Sequence, residues 1–312
     1  MNFMNSIGII INPNAKSVKK SRKDLGALFR KTGGGYADVR VTKSFEDTDS
    51  CIRDFKKNSV SCIGITGGDG TIHQVLTKMI NTYGPEPVPP ILILRGGTMD
   101  NVARTIHLKR KGPAILRRFI NKISAGMEPE LHYRDTMKIG DRYCFLFGAG
   151  LTSNFLDAAY DTDNKGFLKN SEVIIRALRE GIRDDGTSSL FRRLNAEVAV
   201  DGEPLGFTEI LGMLSGTVEH VGMGFSPLSR AIEKDGTFHL IVSGLKPIDG
   251  VKQIFRMKKG KPLKGENNFD GLASRLEITS PAPFRYTMDG DLYDCPGKLR
   301  VESGPRIALV YV

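Results

Sequence analysis

Apolar positions in the first part of the chain follow two alternating rhythms. The runs Ile7-Gly8-Ile9-Ile10-Ile11, Cys62-Ile63-Gly64-Ile65 and Ile91-Leu92-Ile93-Leu94 contain only apolar residues and glycine, the pattern of strands buried on both faces. Between them Leu25, Leu28 and Phe29, then Ile72, Val75, Leu76, Met79 and Ile80, then Ile115, Leu116, Phe119, Ile120 and Ile123 recur at helical spacing. The spacing predicts strands at Ile7–Asn12 and Ala37–Thr42, and helices over Lys19–Lys31 and around Asp47–Lys57. Next come a strand ending at Thr66, a helix from about Thr71, a strand at Ile91–Leu94 and a further helix. Such a βαβα order predicts a three-layer α/β domain with a mostly parallel sheet. Ligands of these sheets bind beyond the carboxyl ends of the strands, where the loops after Ile11, Thr66 and Leu94 lie.

Near residue 130 the texture changes. Thr136–Ile139 and Tyr143–Phe147 flank Gly140-Asp141, and Ala196–Val200 precedes Asp201-Gly202-Glu203, both hairpin signals. Strands are expected at Thr237–Val242, Arg275–Thr279, Phe284–Met288, Lys298–Val301 and Ile307–Val312, with one helix over Ser171–Arg183 and a loop over Tyr160–Asn170. The second half is thus expected to be an antiparallel β-sandwich. The division predicted is 1–130 for the α/β domain and 131–305 for the β-rich domain.

Charge and cysteine usage narrow the functional classes. The formal net charge is +10, which draws a protein towards nucleotides, nucleic acid or an anionic membrane. Basic clusters lie at Lys109-Arg110-Lys111, Arg117-Arg118, Arg192-Arg193 and between Arg256 and Lys264, without interleaved aromatics or a nucleic-acid-binding signature. No nucleic-acid partner is therefore expected. Cys51, Cys62, Cys144 and Cys295 are scattered, without a Cys-x-x-Cys pair, which fits reduced thiols in a cytoplasm rather than a metal cage. No apolar run approaches the roughly 18 residues of a membrane span, and the first residues lack a signal-peptide pattern.

Candidate chemistry is concentrated in four short stretches. Gly67-Gly68-Asp69-Gly70-Thr71 sits between a buried strand and a helix start, where backbone N–H groups and the helix dipole favour an anion. Asp69 would repel a phosphate there unless a cation intervenes, which points to a Mg²⁺-nucleotide site. Alone, the same turn reads as a tight connection capped by Asp69 or Thr71. Asn12-Pro13-Asn14-Ala15-Lys16 follows the first strand and could hold phosphate through its backbone and Lys16. Gly96-Gly97-Thr98-Met99-Asp100-Asn101-Val102-Ala103-Arg104 is a third strand-loop-helix passage. Asp289-Gly290-Asp291 alone is a hairpin turn.

Taken in this order, the four stretches resemble the diacylglycerol kinase catalytic-domain family, which includes bacterial lipid kinases and the sphingosine and ceramide kinases. NAD kinases and phosphofructokinases are more distant relatives with the same glycine loop. Asn12-Pro13, Thr66–Thr71, Gly97-Thr98 through Arg104, Gly222–Gly236 with Asp235-Gly236, and Asp289-Gly290 match the family's motifs, so the resemblance covers nearly the whole chain. It implies an α/β nucleotide domain and a β-sandwich lipid domain with the site in the cleft, and a final strand, Arg306–Val312, returning to the first domain. It also implies transfer of the ATP γ-phosphoryl group to a lipid hydroxyl. Asn12, Lys16, Gly67, Gly68, Asp69, Gly70, Thr71, Gly97, Thr98 and Asn101 would then hold the nucleotide phosphates, with Thr42 reaching the nucleoside. Mg²⁺ would lie around Asp69, Asp100 and Asp235. Asp289 is the first candidate for the general base and Asp69 the second. Residues 145–156 and 167–178 are candidates for an apolar trough for the lipid. Partners implied are a lipid substrate at a membrane surface and anionic phospholipid, with peripheral attachment, and exposed strand edges could pair in a homodimer.

Several positions depart from the family pattern. Lys16 stands near a usual glycine, Gln74 replaces a glutamate, Asp100-Asn101 reverses an Asn-Asp pair, Lys234 replaces an acidic residue and Asp291 replaces a glutamate. These changes keep a non-catalytic nucleotide-binding, membrane-associated protein as an alternative. An NAD kinase is the other, although no Asn-Glu pair of the type used to recognise NAD occurs.

Overall fold

A computed structural model describes residues 6–15, 18, 24–95, 101–108, 110–160, 188–222 and 224–312. The chain divides into two units, Met1–Arg134 with Arg306–Val312, and Asp135–Pro305.

In the first unit β1 (Ile7–Ile11), β2 (Ala37–Val41), β3 (Cys62–Thr66) and β4 (Ile91–Ile93) run parallel, and every residue of β1, β3 and β4 is buried. The C-terminal strand Ile307–Tyr311 (β20) lies parallel to β4, and Glu130–Arg134 (β5) closes that edge antiparallel to it. The order is β2-β1-β3-β4-β20-β5 among the described residues. Because β5 pairs here, the first unit reaches Arg134. Helices α1 (Leu25–Gly33) and α5 (Gly112–Ser124) cover one face, where Phe29, Ile115, Leu116 and Phe119 pack on Ile7, Ile9, Ile11 and Leu92. Helix α2 (Phe45–Lys57) packs on β1 and on α3 (Asp69–Tyr83), burying Ile52, Phe55, Ile72, Val75 and Leu76. Short α4 spans Asn101–Thr105.

Helix α1 starts at Leu25 because Asp24, in extended backbone, accepts the Ala27 N–H and caps it. Of the helix expected over Lys19–Lys31 the described part is α1, and residues 19–23 lie outside the described residues. Ser44 likewise caps α2 through the Asp47 N–H, and Asp47 accepts the Lys43 N–H in return.

The second unit holds the hairpin β6 (Met137–Ile139) and β7 (Arg142–Cys144), then β8 (Leu146–Gly150) and helix α6 (Leu151–Tyr160). Strands β9 (Leu194–Asn195), β10 (Glu197–Val200), β11 (Glu203–Pro204), β12 (Glu209–Ile210), β13 (Gly212–Gly216) and β14 (Phe238–Ser243) follow. Helices α7 (Pro247–Lys252) and α8 (Ile254–Lys258) precede β15 (Asn268–Ala273), β16 (Arg275–Thr279), β17 (Phe284–Met288), β18 (Asp291–Cys295) and β19 (Lys298–Ser303). Two antiparallel sheets, β11-β10-β16-β19-β6-β7 and β15-β14-β13-β8-β17-β18, share one core. Val198, Ile278 and Val301 of the first meet Phe147, Met213, Leu240 and Met288 of the second. This is the expected sandwich. The expected helix over 171–183 lies outside the described residues.

Candidate active site

The sheet order 2-1-3-4 makes the chain cross from one side of β1 to the other. Connections after β1 and β3 therefore diverge, which makes their carboxyl ends the switch point at which doubly wound sheets bind ligands. Register pairs Ile11 with Thr66, so Asn12 and Gly67 leave the sheet side by side. Asn12 organises this edge. Its N–H donates to the Thr66 carbonyl at 3.1 Å, its Nδ2 donates to Thr71 Oγ1 at 2.9 Å, and its Oδ1 accepts the Asn14 N–H at 2.8 Å. The two loops are thereby tied together. Thr42, buried just beyond β2, donates its N–H to the Ile11 carbonyl at 3.0 Å and so sits at the same edge.

Helix α3 begins in the glycine loop. A Cβ on Gly67 would lie 2.3 Å from Thr71 Cβ, so only glycine lets the loop fold back on the first helical turn. Gly68 is the extended cap residue and has no side chain to offer, whereas Asp24 and Ser44 cap α1 and α2. The capping role weighed for Asp69 or Thr71 is therefore not taken: Asp69 is the first helical residue, and the Thr71 hydroxyl accepts from Asn12. Asp69, Gly70 and Thr71 are half-buried. Immediately before them the Thr66 hydroxyl is buried without a hydrogen-bond partner, an orphan polar atom at the base of the loop.

The third stretch is described in part. Arg95 leaves β4 with φ +37°, a conformation rare for a residue with a side chain. Lys16, Gly97, Thr98 and Asp100 lie outside the described residues, and Asn101 opens α4.

Two further candidates belong to the second unit. Asp289 and Gly290, at φ +48° and +93°, form the two-residue turn between β17 and β18, where Met288 pairs with Asp291. Both central residues are left-handed, as a type I′ hairpin requires. The turn also holds a carboxylate in place. Asp289 Oδ1 accepts the Leu146 N–H at 2.9 Å and the Phe145 N–H at 3.2 Å, and Oδ2 lies 3.1 Å from the latter. The Asp289 N–H returns a bond to the Leu146 carbonyl at 3.0 Å. Phe145 is the single residue between β7, in one sheet, and β8, in the other. Asp289 thus pins the corner where the chain changes sheets, and its side chain is buried. Burial, and secondarily the Asp289 charge, pushes the adjacent Cys144 thiol well above its ordinary value. Asp235 lies in an exposed turn before β14, closed by Gly236 N–H to Asp135 Oδ2 at 3.1 Å and by Thr237 Oγ1 to the Lys234 carbonyl at 2.7 Å.

Sequence reasoning missed the partners of Asp289, because a backbone N–H has no side-chain signature. Asp135 was missed for the same reason, since it acts as a turn acceptor. Of the expected trough, Phe145, Phe147 and Ala149 are core, and Leu151 and Phe155 pack half-buried around Leu190, Phe191, Leu211 and Leu245. Residues 167–178 lie outside the described residues. Among the described residues no three His, Cys, Asp or Glu side chains cluster as a metal cage, and no helix is long and apolar enough to cross a membrane.

Residues 6–128 match the sequence model of the diacylglycerol kinase catalytic domain. A protein named "Probable lipid kinase YegS" from Shigella dysenteriae serotype 1 (strain Sd197) is 22% identical over 285 residues, covering 89% of this chain and 87% of its own. A crystal structure of a diacylglycerol kinase from Bacillus anthracis str. Sterne superposes with a TM-score of 0.66 at 17% identity, covering 99% of this chain and 97% of that one. A second structure from that organism gives 0.69 at 18% identity with the same coverage. At these identities the structural likeness speaks for the fold. Residues 6–128 carry a diacylglycerol kinase catalytic domain, and the chain is a phosphotransferase with an alcohol group as acceptor.

Proposed function

We propose that the protein is a Mg²⁺-dependent lipid kinase that transfers the γ-phosphoryl group of ATP to a hydroxyl of diacylglycerol or a related lipid. The observation that carries this reading is the Asn12–Thr71 hydrogen bond, which joins two loops at the switch point of the sheet. In the proposal the N–H groups around Gly68 and Gly70 and the Thr71 hydroxyl cradle the phosphates, at the positive end of α3. The orphan Thr66 hydroxyl fits a further donor to a bound group. Lys16, Gly97, Thr98 and Asn101 complete the phosphate site, and Thr42 faces the nucleoside.

The donor set suits a cation held mainly by its substrate. Mg²⁺ in phosphoryl-transfer sites takes one or two carboxylates, with phosphate oxygens and water supplying the rest. Asp69, half-buried in the first turn of α3, fits that demand. Asp100 and Asp235 are proposed as the remaining carboxylates. When bound, the ion neutralises charge developing on the transferred phosphoryl group.

The lipid hydroxyl forms the new O–P bond as the bond to the β-phosphate oxygen breaks, and ADP leaves. The hydroxyl proton passes to a carboxylate, for which Asp289 is the first candidate and Asp69 the second. The two N–H groups that fix the Asp289 oxygens give it the constancy of orientation a base needs. Attachment is proposed to be peripheral, through basic residues facing anionic phospholipid.

The test is transfer of label from γ-labelled ATP with Mg²⁺ into a total lipid extract, with an NAD reaction alongside. A labelled lipid supports the reading and names the acceptor class. Label in NADP, or in neither acceptor with protein that binds ATP, overturns it.

A further inference from the structure

Phe255 is the most exposed large apolar side chain among the described residues, at 74%. It sits in α8, inside a strongly basic stretch of the chain. Residues 246–264 contain seven lysines and arginines, namely Lys246, Lys252, Arg256, Lys258, Lys259, Lys261 and Lys264, against a single acid, Asp249.

The segment is tied down. Arg256 Nε and Nη2 both donate to the Pro262 carbonyl, at 3.1 and 3.0 Å, and the Lys261 N–H donates to the Arg256 carbonyl at 3.0 Å. Gln253 Nε2 donates to the Lys264 carbonyl at 2.7 Å, and Ser229 Oγ to the Gly260 carbonyl at 3.0 Å. Beneath, Val251 and Leu263 pack on the cluster of Leu190, Phe191, Leu211 and Leu245. Ile254 and Met257 are half-buried, whereas Phe255, Lys258, Lys259, Lys261 and Lys264 are exposed. The scaffold therefore anchors its other apolar residues and leaves one ring exposed within a basic loop. An isolated exposed apolar residue needs no explanation; a ring held outward by a stapled basic loop does.

We infer that α7, α8 and the turn to Lys264 form a docking surface for a bilayer containing anionic phospholipid, with Phe255 entering the interfacial region and the lysines meeting headgroup phosphates. The chemistry is that of interfacial helices, in which a few apolar side chains insert and basic ones are drawn to anionic lipid. Neither contribution alone gives stable attachment. Single-stranded nucleic acid fits less well, because its platforms stack successive bases on several aromatics, and Phe255 is the sole aromatic of residues 246–264. The inference rests on the peripheral attachment proposed above and gives it a surface, whereas its test does not depend on the proposed reaction.

The test is sedimentation of the full chain, without nucleotide, with phosphatidylcholine vesicles lacking or containing phosphatidylglycerol. Phe255→Ser and the double variant Lys259→Glu/Lys261→Glu are run beside it, with circular dichroism to confirm folding. Wild type should pellet with the anionic vesicles, and less so as salt rises. Phe255→Ser should weaken partition about tenfold, and each charge reversal should weaken it at least about fivefold. Phosphoryl transfer to lipid dispersed in neutral detergent micelles, assayed in parallel, should be unchanged in all three proteins. Loss of transfer by wild type as well would count against the kinase reading and leave the docking result intact. Equal sedimentation by wild type and variants, equal binding to neutral vesicles, or retention of single-stranded RNA in place of vesicles would overturn the inference.

Discussion

The side-chain amide of Asn12 donates to the hydroxyl of Thr71 at 2.9 Å, across 59 positions of sequence. That bond holds the Asn-Pro loop against the first turn of α3, so it fixes the opening through which a phosphate chain would enter. Thr71→Val keeps the shape and removes the acceptor. Its expected cost is about 1 kcal/mol of stability and about tenfold in ATP affinity, as a charge-assisted contact is lost with it. Chemical denaturation and ATP titration check the two numbers, and an unchanged ATP affinity would remove Thr71 from the phosphate site.

Gly67→Ala should be more damaging. The added carbon would lie 2.3 Å from Thr71 Cβ and 2.4 Å from its Oγ1, so the loop must open. Overpacking of this kind costs typically 1–3 kcal/mol. Thermal unfolding should show the loss, and ATP binding should fall below that of Thr71→Val.

Substitutions can separate the structural role of Asp289 from the base role proposed for it. Asn tolerates the left-handed backbone of the turn and keeps one acceptor oxygen for the Phe145 and Leu146 N–H groups, whereas Ala supplies none. Asp289→Ala should therefore be the less stable variant, by roughly 1–3 kcal/mol for the unsatisfied buried N–H groups. Both should lose phosphoryl transfer by about a hundredfold or more. Retention of transfer by the folded Asn variant would return the base role to Asp69.

How much of this was legible in the sequence follows from where the information lies. Ile7–Ile11, Cys62–Thr66 and Ile91–Ile93 announce themselves because strands buried on both faces need apolar side chains at every step. Asp201-Gly202 and Asp289-Gly290 announce hairpins because a type I′ turn needs two residues that accept positive φ. The strand expected at Tyr143–Phe147 is divided at Phe145 between β7 and β8, and β13 and β15, with sequences GMLSG and NFDGLA, carry glycines that look like turns. In β8 the reason for glycine is packing: a Cβ on Gly148 would meet Thr152 at 2.4 Å. Individual site residues were visible as motifs. The Asn12–Thr71 bond and the N–H pair that holds Asp289 were not, because both depend on long-range register.

Buried thiols and a buried phenol give an alkaline prediction. Burial pushes up the thiols of Cys62 and Cys144 and, more weakly, Cys51, and raises Tyr83 from 10.0 to about 12. A group whose value is raised in the folded state stabilises fully below its unfolded value and less as pH climbs to the folded one. Folding stability should therefore fall between about pH 9 and 12. At neutral pH a thiol reagent should modify Cys51 slowly, leave Cys62 and Cys144 unmodified until the protein unfolds, and modify all four cysteines after unfolding. Fast native labelling of Cys62 or Cys144 would contradict the packing described.

The most direct test of the central claim is incorporation of label from γ-labelled ATP into purified diacylglycerol, with and without Mg²⁺, by wild type and by Asp289→Asn. The account predicts Mg²⁺-dependent phosphatidic acid from wild type, and none above background from a variant that still binds ATP. No product from wild type with any lipid hydroxyl, despite ATP binding, would contradict it.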